Sequence, residues 1–259
     1  MNIKNIANYL EEIAPIDQAE DFDNVGLLVG DYKTDVSGIL VTLDTLEETI
    51  DEAIAKNCNL IVSFHPIIFS GLKKINGESY VERVVLKAIK NNIAIYATHT
   101  ALDNSKVGVS AKMCEILGIK NYNILIPKKD KSTGMGMIGE LANPMKEEDF
   151  LNYTKMIFNS GCIRHSKKIG KYINKVAVLG GSGSFAIPNA IKDKADAYIS
   201  ADFKYHDFFK AEDKILLIDV GHYESEQFTK NLLVEYLTKK FTSFAIILSE
   251  KSTNPIYYL

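Results

Sequence analysis

The chain has 259 residues, and at 46% hydrophobic and 24% charged it is a globular sequence long enough for one large or two modest α/β domains. A net charge of −3 gives no electrostatic ground for a dedicated nucleic-acid binder, and the isolated Cys58, Cys114 and Cys162 read as reduced structural thiols. No window approaches the ~18 apolar residues of a membrane span, and the opening MNIKNIANYLEEI is an acid-interrupted amphipathic helix without a signal-peptide core, so a cytoplasmic location is expected.

After that helix, DFDNVGLLVG reads as a glycine-rich turn entering a strand, capped by Asp23 and Asn24. From Gly38 the chain alternates apolar runs with helical patterns: GILVTLD (strand), LEETIDEAIAKN (helix), CNLIVSF (strand), SYVERVVLKAIKNN (helix), IAIYAT (strand), then VGVSAKMCEILG, a helix closed by Gly118. Continuous β-branched runs between such helices predict a parallel sheet covered on both faces. Residues 121–170, with Pro127, the lysine-rich KKDKS and a helix at about Lys146–Ile157, read as a connecting α+β segment. The rhythm then resumes with KVAVLGG (strand), SFAIPNAIKDK (short helix), AYISA and KILLIDV (strands), and SEQFTKNLLVEYLTKKF (one long helix). FAIILSE and NPIYYL are read as closing strands. The expected class is α/β, in two halves divided near residue 124 (1–124 and 125–259), with mostly parallel sheets flanked by helices.

Parallel strands place their carboxyl ends on one edge, where open α/β sheets bind ligands. Asp44, His65, His99 and Asp103 follow strands in the first half; Gly180–Ser184, Asp202, Asp219 and His222 do so in the second. Alone, His65 in SFHPIIF is more often a satisfied structural histidine than a ligand. His99 and Asp103 are four residues apart, as are His222 and Glu226, so each pair can share one helical face. Imidazole mixed with carboxylate suits Zn, Fe, Mn, Co or Ni. Glu226 also suits a helix's positive first turn, and Glu224, which does not share the face of His222, suits it better. GGSGS lacks the lysine and spacing of a phosphate loop and reads as a tight turn. His206, near Lys204, is a surface residue or a proton shuttle, and His165 a solvated one.

Taken together and in this order, DFDNVGL, FHPIIF, YATHTALD, SADFKYH and DVGHYESE resemble the dinuclear metal-centre, hexameric family of GTP cyclohydrolase I type 2 homologues, also called NIF-three-like proteins. The resemblance runs from about Asn5 to the C-terminus and is similar to the family's short form, without an inserted domain. It implies two interlinked α/β domains with the metal site in the cleft between them, and a homohexameric toroid. It also implies the ligands His65, Asp103, His222 and Glu226, with Glu226 bridging two metals. One position departs: Phe64 stands where the family usually has a first histidine. One firm site (His65, His222, Glu226) is therefore expected. The second, left with Asp103 and Glu226, is expected to be weak, empty or supplemented by His99. Phe22 replaces the family's common tryptophan. The implied function is a metal-dependent hydrolase using metal-bound water on an unknown small substrate, with Asp103 or Glu226 taking the proton and His99 or His206 relaying it. The alternatives are a non-catalytic metal-binding or metal-delivery protein, and a ring associated with nucleic acid through basic clusters at 128–131 and 164–171.

Overall fold

The computed structural model describes residues 1–129, 131–242 and 245–259. In chain order the first elements are α1 (Ile3–Ile13), β1 (Gly26–Val29), β2 (Ile39–Thr42), α2 (Glu47–Ala55), β3 (Leu60–Ser63), α3 (Tyr80–Lys90), β4 (Ala94–Ala97) and α4 (His99–Asp103). Next come α5 (Val109–Leu117), β5 (Ile119–Pro127), β6 (Gly134–Lys146), α6 (Glu147–Ile157), β7 (Arg164–His165), β8 (Tyr172–Ser182) and α7 (Ile187–Lys192). β9 (Ala197–Ala201), β10 (Leu216–Asp219), α8 (His222–Glu226), α9 (Thr229–Lys240) and β11 (Ile246–Leu248) complete the set. Among the described residues no helix is long and apolar enough to cross a membrane.

The chain divides into two compact units. The first comprises Met1–Leu102 and Thr229–Pro255, the second Asp103–Phe228 and Ile256–Leu259. They part after Leu102 and not near residue 124, because α5 packs on β5, β6 and β8 and so belongs with the strands that follow it.

In the first unit, α1 starts where the Asn2 side chain accepts from the Asn5 amide, and buries Ile3, Ile6, Ala7 and Leu10 at helical spacing. The sheet runs β1-β4-β3-β2-β11, with β4, β3, β2 and β11 mutually parallel and β1 antiparallel at the edge. Every residue of β2, β3 and β4 is buried, which explains why these segments read as unbroken apolar runs and not as alternating ones. The late α9 and β11 return to this unit, where α9 packs on β2 and β11, and Ile246 pairs with Ile39.

The second unit holds a six-stranded sheet, β5-β6-β8-β9-β10-β7. Only β8, β9 and β10 are parallel; β5/β6, β6/β8 and β10/β7 are antiparallel. The expectation of a mostly parallel sheet thus holds in the first unit and fails here, since the short link between β5 and β6 allows only a hairpin. Gly118 closes α5 with φ 69°, the left-handed conformation that glycine adopts at little cost. Cys58 and Cys114 are buried free thiols whose pKa values burial raises, and Cys162 is exposed.

Two further expectations are corrected. The single long helix from Ser225 is two helices, α8 and α9, and His222 and Glu226 occupy the separate single turn α8, with the units parting after Phe228. NPIYYL forms no strand; its chain leads away from Thr253, whose hydroxyl donates to Asp44 at 2.5 Å. Asp130 of KKDKS and Phe244 of FAIILSE lie outside the described residues.

Leu233 on α9 is wholly buried. Leu233→Ala is expected to lower unfolding stability by about 2–5 kcal/mol, read from urea midpoints, if α9 is an integral layer of the first unit. A loss well under about 1 kcal/mol would mean that the helix is not firmly packed.

Candidate metal centre

In the second unit, β9 and β10 are parallel and in register, with Ser200 opposite Asp219. Their extensions therefore leave the same edge, Asp202 two residues after Ser200 and His222 three after Asp219. Asp202 (φ 57°) and Gly221 (φ 98°) turn the chain sharply, and α8 begins at His222. One helical turn then puts Glu226 beside His222, with Nε2 and Oε2 3.2 Å apart. The other ring nitrogen, Nδ1, lies 2.7 Å from Asp202 Oδ2, and the same carboxylate accepts from the Ser182 hydroxyl at 2.6 Å.

The glycine-rich end of β8 walls this pair. The Gly181 amide donates to Ser225 Oγ at 2.8 Å, and that hydroxyl donates to the His222 carbonyl at 2.8 Å. Gly181 has φ 66°, and a methyl group there would run into the Glu226 carboxylate and come within 3.3 Å of the His222 ring. GGSGS is therefore not the tight turn expected but the irregular end of β8 leading into a 3-10 turn (Ser184–Ala186), and its glycines leave the volume that the pair fills. Glu226 is only 3% exposed. Burial alone would lower the His222 pKa, but hydrogen bonds and charge from Asp202 and Glu226 outweigh it and push it up to about 11. The hydrogen bond from His222 in turn holds Asp202 below the usual carboxylate range.

The first unit repeats the device. Thr42, Ser63 and Ala97 are in register across β2, β3 and β4, and Asp44, His65 and His99 each stand two residues beyond. His65 Nδ1 meets Asp44 Oδ1 at 2.8 Å, and His99 Nδ1 meets Asp23 Oδ1 at 2.7 Å. Asp23 also accepts from the Thr100 amide and hydroxyl. Desolvation would raise the Asp23 pKa, yet His99 and Thr100 together hold it at about 2. Asp23 thus caps its turn through Asn24, as expected, and also holds a histidine. Phe64 is completely buried, its ring centroid 4.9 Å from that of His65 and 5.6 Å from that of His99.

Other sequence candidates fall differently. Asp103 ends α4 half-buried, and among the described residues of the second unit it forms no three-donor group with His222 and Glu226. His206 lies on an exposed 3-10 turn (Tyr205–Ala211), packed at 5.2 Å on Tyr205 and 6.0 Å on Phe209. His165 sits on the exposed edge strand β7, with Nδ1 near the Ser166 carbonyl. The residues that sequence reasoning left without a part are Asp44 and Asp202. Their signal was present, an aspartate just past a strand end in TLD and SAD, but nothing in it named the histidine each would hold.

The family described as Duf34/NIF3 (NGG1p interacting factor 3) matches residues 1–255. The chain belongs to this family. It is 37% identical to a protein of Clostridium acetobutylicum named GTP cyclohydrolase 1 type 2 homolog, over 87% of this chain and 85% of that one. A Clostridium perfringens protein of the same name is 32% identical over 100% of both chains. A solved Staphylococcus aureus structure superposes with TM-score 0.92 at 28% identity, covering 100% of this chain and 99% of that one. A Bacillus cereus protein related to NIF3 shares the fold, with TM-score 0.91 at 24% identity over 100% and 99% of the two chains. His222 and Glu226, with the imidazole already oriented, are donors that could hold a metal ion in such a protein.

The raised His222 pKa fixes the sign of a pH effect. Its contribution to the metal-free protein is complete below the unfolded value of 6.5 and is lost as pH rises through about 11. Denaturant midpoints of metal-free protein should fall across that window, and Asp202→Asn should flatten the fall. An unchanged slope in that variant would show that the Asp202–His222 bond does not set the pKa.

Proposed function

We propose that this chain binds a divalent metal ion through His222 and Glu226, with His65 as the further ligand that the family resemblance implies, and acts as a metal-dependent hydrolase on a small substrate. The observation that carries the reading is His222, held by Asp202 through Nδ1 with its Nε2 beside the buried Glu226 carboxylate. The donor set fits a metal. A buried carboxylate needs a cation; the protonated imidazole supplies one now, and a divalent ion replacing that proton would keep the charge balanced. Two imidazoles and a carboxylate suit Zn, Fe, Mn, Co or Ni; Asp103 and Glu226 are what the family resemblance leaves for a second site, which in this reading is weak or empty.

A bound ion would supply Lewis acidity and lower the pKa of water in its coordination sphere toward ~7. The protein's own groups do the rest. Asp202 and Asp44 fix the tautomer and direction of His222 and His65. Glu226 is placed to take a proton at Oε2. His99, tied to Asp23 through Nδ1, keeps Nε2 for proton exchange. The relatives' name, GTP cyclohydrolase 1 type 2 homolog, supports a hydrolytic reaction, while the fold leaves the substrate open. A homohexamer belongs to the same reading and rests on the family resemblance.

Metal delivery without catalysis is the second reading, favoured by the buried Phe64, which offers no donor where a second metal would need one. His222→Ala is expected to abolish both bound metal and turnover while the oligomer, sized by light scattering, stays intact. Turnover surviving in the metal-stripped variant would sink the hydrolase. Metal that exchanges freely with a chelator, in a protein without turnover, would favour delivery. Elemental analysis should find about one metal per chain in the native protein and about two in Phe64→His. About two in both would mean that another group already replaces the missing histidine.

A further inference from the structure

Resting on the reading of His65 as a metal donor, the first unit indicates what part of a substrate would lie beside it. A cavity of about 410 Å³ opens next to His65, walled by Asp44, Ile67, Tyr80, Thr253 and Pro255 among others. Its size is that of a small-molecule site.

Three observations define what it would accept. The first is charge. Among the described residues its lining holds no lysine or arginine, and Asp44 is its carboxylate. The start of α2 borders it at Leu46, but Glu47 and Glu48 already meet that helix's positive end. In the metal-free protein a phosphate group would find no lysine or arginine here and one repelling anion. The second is shape. Tyr80 is half exposed and, with Pro66 and Pro255, presents flat apolar faces. The third is construction. The irregular chain that forms one wall is fastened at several points: Ser249 Oγ donates to Glu52 at 2.5 Å, the Glu250 amide donates to Glu52 at 3.0 Å, and Thr253 donates to Asp44. Asp44 therefore orients His65 with one oxygen and secures the cavity wall with the other.

We propose that this cavity binds an uncharged, ring-bearing group of the substrate, stacked against Tyr80 with its polar edge toward Asp44 and Thr253. It selects against a triphosphate, although the relatives' name mentions GTP. A nucleoside or a similar neutral heterocycle is the class of ligand that fits.

The test is calorimetric binding of guanosine, adenosine, GTP and ATP to the full-length protein, as purified and after chelation, so that phosphate bound directly to metal is recognised as such. After chelation a nucleoside should bind about tenfold or more tightly than its triphosphate. Tyr80→Ala should weaken the nucleoside by about fivefold or more, with metal content and thermal midpoint unchanged. A triphosphate binding as tightly as its nucleoside overturns the proposal. So does an unaffected Tyr80→Ala, or the absence of binding by either nucleoside. The metallohydrolase reading fails on different readouts, metal content and the turnover of His222→Ala, so the two ideas can fall separately.

Discussion

A histidine offers a dependable donor nitrogen only when its other ring nitrogen is held, because a freely turning imidazole must give up orientation each time it binds. In this protein the hold is an aspartate carboxylate on Nδ1, and it occurs three times: Asp44 with His65, Asp23 with His99, and Asp202 with His222, at 2.7 to 2.8 Å. In His222 the other ring nitrogen, Nε2, lies 3.2 Å from the Glu226 carboxylate. The chemistry available to the chain follows from these three bonds.

Two of the bonds exist because parallel strands end in register. Asp44 and His65 can meet because Thr42 and Ser63 are neighbours, and Asp202 reaches His222 because Ser200 lies opposite Asp219. The second unit adds a constraint of volume. Glu226 comes beside His222 through the i,i+4 spacing of α8, and Gly181, whose positive φ and missing side chain leave room for the carboxylate, backs it. A longer helix running straight from β10 into α9 would have no reason to break after Phe228, where the units part.

Phe64 sets this chain apart from the pattern that its other motifs follow. Its ring is wholly buried and packs on both His65 and His99, so it has become part of the apolar support of the histidines. His65 and His99 thereby share an apolar, water-excluding support.

The sequence by itself determined most of the α/β elements, the strand-end positions of His65, His99 and His222, and the family. Those rest on local information: apolar periodicity, glycine and proline punctuation, and five motifs in order. It misjudged the break between α8 and α9 and the irregular chain after Thr253, because each depends on partners distant along the chain, and it left the local hairpin of β5 and β6 unread in a segment without clear periodicity. The same reason hid the parts played by Asp44 and Asp202. An aspartate after a strand looks alike whether it caps a turn or grips an imidazole 20 residues away, and only strand register, a property of the folded sheet, decides between them.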